Sequence, residues 1–118
     1  MAVKKLTRER LNGGTQIDLI TWAGMATGDT GEPFESLDWG DLTVTFSGTF
    51  GVGTTAKLRG SNNGTDYFDL TDPQGNAISK SSSAMEAVTE TPRYIRPEIS
   101  GGSADAVDCQ ILARRGSR

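Results

Sequence analysis

The sequence predicts an all-β fold, a small antiparallel β-sandwich of jelly-roll-like kind with a long N-terminal arm and loop. Three observations carry this. Apolar residues recur at every second position in several short stretches, turn residues separate those stretches, and none sustains the 3.6-residue period of an amphipathic helix. The 118 residues fit one domain. Gly is abundant at 15 residues while hydrophobic residues make up 35%, a mixture that suits short strands, many turns and some stability drawn from association.

The chain divides into a basic N-terminal arm over 1–14, a β-sandwich domain over 15–115 and a C-terminal tail over 116–118. A first strand is expected from Gln16 to Trp22, with Ile17, Leu19 and Ile20 apolar. Residues 23–38 carry several glycines and Pro33, and read as a loop longer than the usual connection. Two readings of that loop stand open. It is a contact element ordered by a partner, or an extended edge segment whose Met25, Phe34 and Leu37 cover the core.

From Asp41 the alternation is plain, with Leu42, Val44 and Phe46 facing one way and Thr43, Thr45 and Ser47 the other. Glycines at 48, 51 and 53 interrupt it, and Leu58 resumes it between Lys57 and Arg59. Asn62-Asn63-Gly64-Thr65 marks a hairpin, because Asn-Gly tolerates the positive φ of tight β-turns. Phe68 and Leu70 then share a face, Asp72 to Asn76 is the next turn, and residues 84–88 are too short to assign as helix or strand. Ile95, Pro97 and Ile99 alternate with Tyr94, Arg96 and Glu98, and Pro97, lacking a donor, predicts an edge position or a strand end. The last strand, Ala106 to Ala113, points Val107, Cys109, Ile111 and Ala113 inward.

The net charge of −3 conceals an asymmetry. Lys4, Lys5, Arg8 and Arg10 crowd the N-terminus against Glu9, and Arg114, Arg115 and Arg118 crowd the C-terminus. The stretch between is strongly acidic, which repels a phosphate backbone and argues against nucleic acid as partner. No apolar run reaches the roughly 18–20 residues that span a bilayer, and none follows the N-terminal charges as in a secretory signal, so no membrane partner is expected.

The chemistry of catalysis is missing from the pattern. There is no histidine, which removes the commonest general base and transition-metal ligand. No nucleophile elbow, Walker or GxGxxG fingerprint occurs. Asp66, Asp69 and Asp72 recur at every third residue but lack EF-hand spacing. The lone Cys109, flanked by Val107 and Ile111 on an inward face, reads as a buried thiol. The expectation is therefore a protein that binds and assembles without catalysis, cofactor or metal.

Candidate partner-binding residues are Lys4, Lys5, Arg8 and Arg10 of the arm, Trp22 and Trp39 flanking the long loop, Met25 and Phe34 within it, and Arg93 and Arg96 beside Tyr94. Each has a structural alternative: solubilising termini for the basic residues, core packing for the apolar ones, and pairing with acids such as Asp66 or Asp69 for the two later arginines.

Five blocks carry a resemblance. They are Thr21-Trp22-Ala-Gly-Met-Ala-Thr-Gly-Asp-Thr-Gly-Glu-Pro-Phe34, Leu58-Arg-Gly-Ser-Asn-Asn-Gly-Thr-Asp-Tyr-Phe68, Leu70-Thr-Asp-Pro-Gln-Gly-Asn-Ala-Ile78, Thr91-Pro-Arg-Tyr-Ile-Arg-Pro97 and Cys109-Gln-Ile-Leu-Ala-Arg-Arg115. In this order they resemble small structural proteins of the head-gene clusters of tailed bacteriophages. That resemblance implies a capsid decoration, or cement, protein: a homo-oligomeric β-sandwich, dimer or trimer, made in the bacterial cytoplasm and set on the virion exterior, where it clamps neighbouring major capsid protein subunits. The 60–67 hairpin, followed by Arg93 to Arg96, also resembles discoidin-like carbohydrate-binding sandwiches, and a phage tail or baseplate component shares the fold and composition.

Overall fold

A computed structural model describes residues 3–11, 17–37, 39–102 and 105–115. Among the described residues twelve strands form and there is no helix. They are β1 (Val3–Lys4), β2 (Leu6–Arg10), β3 (Ile17–Met25), β4 (Thr30–Gly31), β5 (Phe34–Glu35), β6 (Asp41–Thr49), β7 (Thr55–Ser61), β8 (Phe68–Asp69), β9 (Ser79–Lys80), β10 (Ala84–Ala87), β11 (Tyr94–Ser100) and β12 (Ala106–Arg114).

One sheet runs β10-β6-β12-β3-β2 and is antiparallel throughout. The other runs β1-β4-β11-β7-β8, with β5 also on β11 and β9 also on β7. From β3 onward the chain passes back and forth between the sheets: β3, then β4 and β5, then β6, then β7 to β9, then β10, β11 and β12. That alternation is the eight-strand jelly roll, in which β4 with β5, and β8 with β9, each occupy one strand position. The expected all-β sandwich is therefore the fold. One pair departs from antiparallel order, β1 running parallel to β4.

The alternation places the core. Leu42, Val44 and Phe46 of β6, Ile95 and Ile99 of β11, and Val107, Cys109, Ile111 and Ala113 of β12 are buried between the sheets. Burial of the Cys109 thiol pushes its pKa far up, so it is inert. The segment 84–88, unassigned from sequence, supplies β10 on β6.

The first third of the chain differs most from expectation. The basic arm contributes two strands, with β2 paired along β3 and β1 along β4, so residues 3–10 close the side of the sandwich where the chain crosses from β3 to β4. On β3 the buried positions are Asp18, Ile20 and Trp22, while Ile17 and Leu19 face outward. A bulge after Trp22 then adds one residue opposite β12, with Gly24 at φ 65°. This shifts the phase of the alternation and turns Met25 into the core.

Pro97 lies on an interior strand, contrary to the predicted edge. It pairs with Leu58 of β7 on one side. On the other side the register slips by one residue between Glu98↔Thr30 and Ile95↔Phe34. The imide nitrogen thus meets the interruption between β4 and β5, where the ladder is broken. Gly31 makes this possible, since a Cβ there would lie 2.5 Å from Pro97 Cδ and 2.7 Å from Trp22 Nε1. The indole N–H of Trp22 donates to the Glu32 carbonyl at 2.9 Å, Glu32 N–H donates to Lys4 O at 2.7 Å, and Leu6 N–H donates to Glu32 Oε1 at 3.0 Å.

One end of the sandwich is tied by Asp105. Its carboxylate accepts hydrogen bonds from Gly51 N–H at 2.7 Å and from the hydroxyls of Thr54 and Thr27. Three loops, those after β3, β6 and β11, therefore converge on one carboxylate. At the other end Ser36 N–H donates to Arg93 O at 2.8 Å and Arg93 N–H donates to Asn62 Oδ1 at 3.3 Å, joining the β5–β6 and β10–β11 crossings to the β7–β8 turn.

Three outcomes follow from this architecture. Gly31→Ala overpacks the Pro97–Trp22 contact and lowers stability by roughly 1–3 kcal/mol, read as a reduced urea midpoint with unchanged slope. Asp18 is 0% exposed and meets Arg8 at 3.5 Å and Arg10 at 3.4 Å, whose side chains remain 45% and 51% exposed. Asp18→Asn costs about 1–3 kcal/mol by the same measurement, less than a fully buried pair because the arginines keep their water. Hydrogen bonds from Thr27 and then Thr54 hold the Asp105 carboxyl below its ordinary range. A depressed folded pKa stabilises above the unfolded value and is lost as pH falls through the folded one, so the effect lies below about pH 4. Asp105→Asn should flatten that acid limb in pH-dependent thermal melts.

Candidate docking surfaces

The two sheets present unlike outer faces. On the β1-β4-β11-β7-β8 sheet the charges are spent on one another. Arg59 pairs with Asp69 at 3.1 Å and Glu98 at 3.5 Å, and Arg96 pairs with Glu98 at 3.1 Å while stacking 3.8 Å from the Tyr67 ring centroid. Arg93 pairs with Glu35 at 3.4 Å and lies 5.0 Å over the Tyr94 ring. Arg93 and Arg96 thus find neither Asp66 nor Asp69 as partner. Asp69 belongs to Arg59.

The other sheet's outer face carries few charges. The register aligns one row as Glu9, Leu19, Leu112, Thr43 and Ala87 across β2, β3, β12, β6 and β10, and the next as Thr7, Thr21, Gln110, Thr45 and Met85. Ionised side chains stand at the margins: Glu9 on the edge strand, Arg114 beside Asp41 at one end, and Asp108, engaged with Gly24 N–H at 2.8 Å, at the other. The middle is Leu, Thr and Gln on a pleated surface, half-buried and without salt bridges. Such a face desolvates without stranding a charge.

Of the ten candidate residues, four are withdrawn from any partner. Trp22, Met25, Phe34 and Trp39 are core residues. The long loop that holds two of them includes β4 and β5, and its Met25 and Phe34 cover the core, whereas Leu37, expected to join them, is 66% exposed. Arg8 and Arg10 face inward from the edge strand β2 onto buried Asp18, and the Arg8 guanidinium lies 5.3 Å over the Phe34 ring. Inward charges on an edge strand discourage strand-to-strand aggregation. Lys4 and Lys5 belong to the same bridging segment, and Lys5 is exposed. The positions of residues 12–16 and 116–118, within the expected arm, first strand and tail, lie outside the described residues.

A shallow depression of about 480 Å³ opens beside the β7–β8 turn. Its lining includes Asn62, Asp66, Asp69 and Glu90 among polar residues and Phe68, Leu70 and Pro92 among apolar ones. Burial acts to raise the Glu90 pKa, but hydrogen bonds from the Thr71 hydroxyl and N–H outweigh it and hold the carboxyl below its usual range. Among the described residues, no three metal-ligating side chains gather. Leu19, Leu112 and Phe68 are not among the ten candidate residues. Their signal was apolar character at outward or edge positions of otherwise alternating strands.

No protein-family model matches the chain, and no curated protein matches it in sequence. Among solved structures, 15 chains are similar in fold. The SPBc2 prophage-derived protein YomS aligns with a TM-score of 0.54 at 15% identity, over 85% of this chain and 96% of that one. A cupin domain from Bordetella pertussis Tohama I aligns with a TM-score of 0.48 at 12% identity, over 97% and 98% of the two chains. At 15% identity the likeness to YomS is one of fold alone.

Proposed function

We propose that this chain is a structural protein of a tailed-bacteriophage virion, a decoration protein on the outer surface of the head that stabilises contacts between major capsid subunits. The observation that carries the reading is the uncharged middle of the β10-β6-β12-β3-β2 face. A nucleic-acid surface requires basic residues in its centre, and this face has none there. A protein surface requires what it does have, a broad area of half-buried Leu, Thr and Gln ringed by polar and charged residues.

The ordered blocks described above support the head assignment, and the fold shared with a prophage-derived protein is consistent with it. Repetition supports it physically. A decoration protein meets the same subunit surface many times on one lattice, so modest contacts per copy give high occupancy when copies also touch one another as a dimer or trimer. The acidic body keeps unbound copies soluble and apart.

Leu19 and Leu112, cross-strand neighbours in the middle of this face, provide the test. Adding purified protein to undecorated capsids and scoring retention on a gradient should give stoichiometric occupancy for the native chain. Leu19→Glu with Leu112→Glu should reduce retention by at least about tenfold, the equivalent of 1.4 kcal/mol, while Lys57→Glu on the opposite sheet leaves it unchanged. Full retention of the double variant, or recovery of the native protein only with tails, overturns the reading.

A further inference from the structure

We propose that Asn63-Gly64 in the β7–β8 turn is a latent deamidation site, which the folded turn holds shut through Ser61 and which reacts only when the turn opens. This goes beyond the capsid reading and does not rest on it.

The chemistry is intrinsic to the dipeptide. The Gly64 backbone nitrogen attacks Asn63 Cγ. A C–N bond forms as the Cγ–Nδ2 bond breaks, and the proton from the attacking nitrogen leaves with Nδ2 as ammonia. Solvent water then opens the five-membered imide at either carbonyl, giving aspartate or isoaspartate at position 63. Glycine eases the attack because no Cβ hinders the approach. Two conditions must be met. The Gly64 N–H has to be free to lose its proton, and the Asn63 carboxamide has to turn its carbon onto that nitrogen.

The turn denies both. Gly64 N–H donates to Ser61 Oγ at 2.8 Å, and Ser61 is only 3% exposed. Asn63 Oδ1 accepts from Thr65 N–H at 2.8 Å, Asp66 N–H at 2.9 Å and the Ser61 hydroxyl at 3.0 Å, while Asn63 Nδ2 donates to Asp66 Oδ2 at 3.0 Å. The carboxamide is thus held toward residues 65 and 66. Asn63 N–H also donates to Ser61 Oγ, at 3.2 Å, so one buried hydroxyl ties down the nucleophile and the group it would attack. Gly64 sits at φ 81°, and a Cβ there would lie 3.3 Å from Tyr94 Cε2, so the ring limits any swing of the peptide. These bonds must break before the reaction can begin, and its rate therefore follows the population of the open turn. The product does not fit back. Aspartate loses the Nδ2 donor and sets a second carboxylate against Asp66, and isoaspartate adds one carbon to the backbone of the turn.

The experiment is incubation of the full chain at mildly alkaline pH. Isoaspartate is followed by peptide-mapping mass spectrometry and Gly64 amide exchange by NMR. The same chain in guanidinium chloride is the reference, with Asn12-Gly13 as a second Asn-Gly pair that calibrates the chemistry there. Native Asn63 should convert at least about tenfold more slowly than in the unfolded chain, since opening costs more than one ordinary hydrogen bond. Ser61→Ala should speed both conversion and Gly64 exchange roughly three- to tenfold, with the Ile111 amide of β12 unmoved. Asp66→Ala, which frees Nδ2 alone, should speed conversion less. Native conversion as fast as in the unfolded chain overturns the proposal, as do unchanged rates in Ser61→Ala. Acceleration matched by equal loosening of Ile111 assigns the effect to general unfolding and equally overturns it. None of these outcomes bears on capsid retention, which is read from the opposite sheet.

Discussion

Glu32 and Trp22 hold together the side of the sandwich on which the rest of the fold depends. A jelly roll has to carry its chain between two sheets again and again, and every crossing exposes backbone groups that neither sheet can pair. At the first crossing the indole of Trp22 takes the Glu32 carbonyl, Lys4 takes the Glu32 N–H, and the Glu32 side chain takes Leu6 N–H. One residue thereby satisfies the crossing and anchors the N-terminal strands that cover it. Burying the whole indole, worth about 1.5–3 kcal/mol or more in apolar area, becomes affordable because its N–H has a partner. Gly31 and Pro97 belong to the same constraint. The first lacks the atom that would obstruct the indole, and the second lacks the hydrogen that would go unpaired at the interruption.

The consequence for function is a redistribution of charge. The basic N-terminal cluster reads from composition as a free electrostatic arm, yet the fold uses Arg8 and Arg10 to neutralise buried Asp18 and Arg8 to cover the Phe34 ring. On the opposite sheet Arg59 and Arg96 are bound into a network with Asp69 and Glu98. With so many cations engaged internally, the Leu-Thr-Gln face is left as a surface that can be covered without stranding a charge.

How much of this was legible depended on whether burial used apolar side chains. Val107, Cys109, Ile111 and Ala113 alternate cleanly because a flat central strand buries every second residue, and β6 and β11 read the same way. The N-terminal strands were illegible for the opposite reason. Their inward residues include Arg8 and Arg10, which period-two hydrophobicity cannot register, and their burial is explained by an aspartate on a different strand. Met25 was obscured by a bulge that shifts the phase. Pro97 followed a sound rule about missing donors, but the rule concerns an unpaired side of a strand, and an interior strand acquires one where its neighbour slips register. The docking face was hidden because Thr43 and Thr45 are what any solvent-facing alternation supplies. Only pairing brings them beside Leu19, Leu112 and Gln110.

The geometry also separates the proposed docking face from the depression beside the β7–β8 turn. The Leu19–Leu112 face is the outer surface of one sheet. The depression lies at an end of the sandwich, formed by a turn of the other sheet and by residues 90–92 on the crossing into β11. A copy lying with its β10-β6-β12-β3-β2 face on a shell covers that face alone. The end that carries Phe68 then points along the shell or away from it, and the ionic network of the opposite sheet faces water, where paired charges cost least. The face and the depression therefore use different atoms and different strands, joined only through a core whose packing is common to both. A substitution that alters one without altering stability should leave the other intact.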